Sequence, residues 1–174
     1  MTSSNVVNIK TESLDYCDSP NEQAKNPEAK DWMIAISNGD KFAFDFLWRF
    51  WCFMHCYDDL IDRDNEVTSE DAVKEFAKFF TTISFNPFYE KHKHALHPLI
   101  IQLCNRCLDG DEWESSDDSD KRAVAKVIRC GDIEIFFHVA FLTGGWEHMR
   151  KLKGLRTYDI NSVEQRELGV KGEK

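Results

Sequence analysis

A chain of 174 residues, 42% of them hydrophobic, has the length of one domain and enough apolar material for one core. Its net charge of -9 excludes a nonspecific binder of phosphate backbones, which needs a basic patch to release counterions, so nucleic acid is not an expected ligand. Charges interrupt even the richest apolar run, 42–57, well short of the roughly 20 apolar residues that cross a bilayer; no membrane span is expected.

Residues 1–26 are rich in Ser, Asn, Asp, Glu and Lys and lack apolar groups to offset ordering entropy, so a flexible arm is expected there. The helical domain is expected over 27–155, and 156–174 reads as a second flexible tail. Asn26-Pro27 opens a first helix, with proline where its missing N–H is harmless. Gly39 is suited to end it near 38, and Asp40 to cap a long helix near 41–63. Thr68-Ser69-Glu70-Asp71 offers a capping box for a helix near 69–84. Asn86-Pro87 starts a fourth, and Ser116-Asp117 can start a fifth running to about 143. Gly144-Gly145 breaks or kinks that last helix, leaving a short sixth piece near 146–152. The fold class expected is all-α, a single-domain bundle of five or six helices. Thirteen Phe, five Trp and four Tyr imply a core filled by large rings.

The second helix carries the main chemical signal. At about 100° per residue, His55, Asp58, Asp59 and Asp62 fall within an arc of about 100°. Phe44, Trp48 and Trp51 lie on the same side one to two turns earlier, while Phe42, Phe46, Phe50, Phe53, Tyr57 and Leu60 lie opposite. A helix apolar on both sides is expected to run through the middle of the bundle. Three carboxylates in five residues repel one another, so a compensating cation is expected. Mg²⁺ or Mn²⁺ suits such oxygen ligands and commonly bridges to a substrate phosphate. The alternative is that the helix ends at the surface, with its acids solvated or paired with Arg63 and neighbouring bases.

Asp58-Asp59-Leu60-Ile61-Asp62 resembles the DDxxD motif of class I isoprenoid (terpenoid and prenyl diphosphate) synthases. The resemblance implies an all-helical fold in which Asp58 and Asp62, assisted by Asp59, bind Mg²⁺ bridging a diphosphate. It also implies an apolar substrate pocket lined by Phe44, Trp48 and Trp51, with His55 at its edge. The second acidic motif of that family has its nearest counterpart in 131–138, which lacks the expected Ser or Thr and the terminal acid. An all-α nucleotide pyrophosphatase, which also uses acidic clusters and Mg²⁺, is a second enzymatic expectation.

Glu134 and His138 share a helical face at i,i+4. They are candidate second-helix metal ligands, or else a hydrogen-bonded pair or a partner for Arg129 or Arg122. Cys104 and Cys107 form a CxxC, and with Cys52 and Cys56 offer a weaker zinc set. Without an N-terminal apolar run before its cysteines, the chain is expected in the reducing cytoplasm. His92, His94 and His97 are expected to face solvent. The loop 109–120 has seven acids and no base, and its Trp113 is expected exposed among them. Two functions follow as expectations: metal-dependent binding or turnover of a phosphorylated small molecule, and non-catalytic binding of a basic protein partner through an acidic surface.

Overall fold

The computed structural model describes residues 27–62, 67–129 and 131–152. The expected arms, 1–26 and 156–174, lie outside the described residues, as do Arg63, Cys17 and Cys130. Six helices occur among the described residues and no strand: α1 (Pro27–Ser37), α2 (Lys41–Asp62), α3 (Ser69–Phe85), α4 (Pro87–Glu114), α5 (Ser119–Arg129) and α6 (Asp132–Lys151). The all-α bundle expected from the sequence is therefore the observed fold.

Local chemistry sets most of the boundaries. Asn38 and Gly39 have positive φ (49° and 83°) and turn the chain out of α1, and Asp40 Oδ1 accepts from the N–H groups of Phe42 and Ala43 to open α2. Thr68 and Asp71 form a reciprocal capping box at α3, each satisfying a donor the helix cannot. Asn86 Oδ1 accepts from Tyr89 N–H at 2.9 Å to cap α4, while its Nδ2 donates to Phe42 O at 2.9 Å. One buried amide thus ties the α3–α4 corner to the start of α2.

One boundary departs from expectation. The helix anticipated from Ser116-Asp117 to about 143 is two helices, one ending at Arg129 and the next starting at Asp132. Asp118 Oδ1 caps α5, accepting from Asp120 N–H at 2.9 Å, and α6 begins afresh at Asp132. A Cβ on Gly131 would meet Leu103 Cδ1 at 2.9 Å and Arg106 Cζ at 3.1 Å, so α6 enters the bundle hard against α4. The expected disturbance at Gly144-Gly145 is present as a kink, with Gly145 at φ 73°, ψ −171° inside α6.

α2 occupies the centre, touching α1, α3, α4 and α6, while α5 packs mainly on α4. Phe46, Leu47 and Phe50 of α2 are at most 1% exposed. Aromatic rings carry the interfaces around it: Phe46 lies against Phe88 and Tyr89 of α4, and Phe53 stacks on Phe79 of α3 at 4.3 Å. Phe42, expected on the core side, is instead 40% exposed in the first turn, with the Lys41 ammonium over its ring. At the far side α6 is stitched to α1: Thr143 Oγ1 donates to Ile36 O at 2.9 Å, and Asn38 Nδ2 donates to Thr143 O at 3.2 Å.

Candidate functional site: an arginine among carboxylates at the end of the central helix

Three helices meet where α2 ends. Asp58, on the last turn but one of α2, accepts from Arg129 Nη2 at 2.8 Å. The same guanidinium reaches Glu114 Oε2 at 2.5 Å and Asp111 Oδ1 at 3.5 Å, both on α4. Arg129 is the last residue of α5 and is only 17% exposed, against 56% for Asp58 and 47% for Glu114. It is a planar five-donor fork suited to several carboxylates at once. Its placement depends on Gly110: a Cβ there would overlap Arg129 Cγ and approach Ala125 O at 3.5 Å, so the missing side chain lets α5 lie close on α4.

Around this pair sit further ionisable groups. Tyr57 donates its hydroxyl to Asp111 Oδ2 at 3.4 Å, and burial, with Asp111 adding, raises its pKa. Asp132, at the start of α6, accepts from Ile133 N–H at 2.9 Å. Burial raises its carboxyl above the usual range; the nearby His55 pulls the other way and Asp58 adds to the rise. Burial also pushes the Cys107 thiol up to about 11, with Asp111 contributing. The end of α2 is therefore an acid-rich corner organised on one guanidinium.

The expected site residues are only partly brought together. Asp58 is at this corner and Asp59 is half-buried beside it; Asp62 closes α2, and its side chain lies outside the described residues. His55 is half-buried, its ring edge-on to Trp51 at 4.1 Å. Phe44, Trp48 and Trp51 form a ladder along α2, with centroids 6.3 Å and 5.3 Å apart, and all three are buried at 7% exposure or less. The expected pocket wall is thus packed ring on ring within the core. Glu134 is half-buried in the first turn of α6. His138 lies farther up α6, close enough to His92 of α4 to influence it, and packs against Phe141; burial lowers its pKa.

Of the three histidines expected to face solvent, His94 and His97 are exposed, His97 hydrogen-bonded to the Tyr89 hydroxyl, while His92 is half-buried against Phe88. Trp113, expected in an exposed loop, lies in the last turn of α4 and is half-buried, with the Lys121 ammonium of α5 5.9 Å from its ring centre. Arg122 donates to Ser116 O at 2.7 Å. Cys52, Cys56 and Cys107 are buried and Cys104 is exposed. Among the described residues no group of three or more His, Cys, Asp or Glu side chains is arranged to hold a metal ion.

Sequence reasoning did not single out the roles of Arg129, Asp111, Glu114 and Asp132. Their meeting depends on α4, α5 and α6 converging, which no local pattern encodes. Arg49 was missed too: it is 5% exposed within α2, and it counteracts the burial that raises the carboxyl of Asp45, one turn before it. The i,i+4 spacing of Asp45 and Arg49 was the available signal.

No family model matches this chain, and neither a curated protein nor a solved structure matches it. No helix among the described residues is long and apolar enough to cross a membrane.

Proposed function

We propose that this protein is a non-catalytic helical binding module whose acidic corner receives a basic segment of a protein partner. The observation that carries this reading is the sharing of Arg129 among Asp58, Asp111 and Glu114. Asp58 already has a counter-charge, so it needs no metal to make its position tolerable, while one guanidinium cannot neutralise the acids around it. The surplus negative charge is borne by exposed groups, including Asp58, Glu112, Glu114, Asp117 and Asp118. Such a surface steers a cationic partner and fixes its register. Titration with a Lys/Arg-rich peptide tests it: affinity that falls steeply with salt, and about tenfold on Glu114→Gln with Asp117→Asn, is the expected result. Equal affinity for a scrambled neutral peptide would sink the reading.

A second reading is motivated by Asp132. Its raised carboxyl, near Asp58 and His55, is a group that a divalent cation would relieve. In this reading Mg²⁺ or Mn²⁺ binds at Asp58, Asp59 and Asp62, after Arg129 swings off Asp58, and holds a phosphorylated small molecule. An isoprenoid-synthase-like or pyrophosphatase-like enzyme is its catalytic extension. Thermal melts with Mg²⁺ or Mn²⁺, with and without inorganic diphosphate, separate the two, since a ligand of the folded state raises its stability. An upshift that diphosphate enlarges and Asp58→Asn with Asp62→Asn removes supports the metal; an unchanged melt excludes it.

A further inference from the structure

We propose that the exposed face of α4 pairs with the same face of a second copy of this chain, antiparallel about a two-fold axis near Cys104 and Asn105. The inner face of α4 is spent on the bundle: Leu96, Leu103, Cys107 and Gly110 are buried. On another side, His97, Ile101, Cys104, Leu108 and Glu112 recur at spacings of four, three, four and four, which keeps them within an arc of about 80°. All five are exposed, Ile101 at 70% and Leu108 at 64%. Scattered apolar residues on a surface need no explanation. A straight seam of them with polar ends has the pattern of a helix pair.

Charge selects the occupant and its direction. Toward its N-terminal end α4 carries Lys91, Lys93, His94 and His97, with Glu90 paired to Lys93; toward its C-terminal end come Asp109, Asp111, Glu112 and Glu114, of which Asp111 and Glu114 already meet Arg129. A parallel pairing of two such helices sets acid against acid. An antiparallel one sets the basic half of each copy against the acidic half of the other, so the face is complementary to itself. With the axis between Cys104 and Asn105, Ile101 meets Leu108 of the second copy and His97 meets its Glu112. Each contact is made twice, as an isologous interface requires. The Tyr89 hydroxyl shares a hydrogen bond with His97 Nε2, so Nδ1 is the ring nitrogen left to meet the opposing carboxylate. Pro98 interrupts the hydrogen-bond ladder of α4 next to His97, at the N-terminal end of the seam, and the pairing runs from there over about four turns.

Sedimentation velocity of the full chain across a micromolar concentration series is the test. A dimer of twice 20.3 kDa that dissociates on dilution is expected. Ile101→Lys should abolish it, and Glu112→Lys should weaken it about tenfold by placing like charge opposite His97 and its basic neighbours. The combination His97→Glu with Glu112→Lys should recover association, because the two-fold register exchanges both members of each pair. These positions are exposed, so far-UV circular dichroism should report an unchanged helix content in every variant. A monomer at all concentrations, as when a terminal segment of the same chain covers the seam, overturns the proposal. So does a dimer indifferent to Ile101→Lys, or one that the double exchange leaves as weak as Glu112→Lys.

Discussion

Arg129 is where the end of α2 is decided. Removing its guanidinium leaves Asp111, with a buried Oδ1, facing Glu114 and Asp58 without the cation between them. Because Asp58 and Glu114 are about half exposed, solvent screens much of the loss. Arg129→Ala is expected to cost about 1–3 kcal/mol, measured by urea unfolding. Asp132 makes the opposite kind of prediction. The folded state holds its proton more tightly than the unfolded chain does, so its ionisation costs stability as pH rises through the raised value. That cost is absent below the unfolded value of 3.8. Asp132→Asn keeps an acceptor for Ile133 N–H and removes the charge. It should melt above the parent at neutral pH, with the difference closing as pH falls toward 3.8. A difference constant across that range would mean that the carboxylate is not the cause. Of this corner, the sequence disclosed Asp58 and Asp59, since they are adjacent on one helix. It concealed their counter-ion, which lies 71 residues away from Asp58.

At the scale of helices, boundaries were legible wherever a cap is local. Asp40, Thr68 and Asn86 each accept a hydrogen bond from an N–H two or three residues ahead, so their neighbourhood alone identifies them. The break before α6 obeys a similar sign, Gly131-Asp132 resembling Gly39-Asp40, yet the apolar run from Ile133 onward suggested continuity with the residues before it. What distinguishes Gly131 is its approach to Leu103 and Arg106 of α4, a tertiary fact. Gly110 invites a direct test of such close approach. Alanine in mid-helix gains about 1 kcal/mol in propensity, but here its methyl group strikes Arg129 Cγ, and overpacking costs about 1–3 kcal/mol. Gly110→Ala is therefore expected to be neutral to destabilising by about 2 kcal/mol. It should also detach Arg129 from Asp58, which a pairwise cycle with Asp58→Asn would reveal as lost coupling.

For the molecule as a whole, the arrangement around α2 predicts a gradient of stability. Amide exchange should be slowest in the middle of α2, at Phe46, Leu47 and Phe50, and fastest in α5, where opening requires little more than separation from α4. Exchange from α2 as fast as from α5 would contradict a central helix. The all-α class and the central position of α2 were readable from rings on both of its faces. The packing of Phe44, Trp48 and Trp51 against one another was not, because the same aromatic spacing serves a cavity wall or a filled core equally well.

The central helix has a consequence for how the chain is made. α2 leaves the ribosome early, yet α6, which covers one of its sides and bonds back to Ile36 of α1 from Thr143 and His148, is the last of the six helices to be synthesised. Until then a helix apolar on nearly every side waits for its final neighbour, a state open to aggregation and to chaperone capture. A nascent chain arrested before Asp132 should therefore bind a holdase, and release should coincide with the emergence of α6.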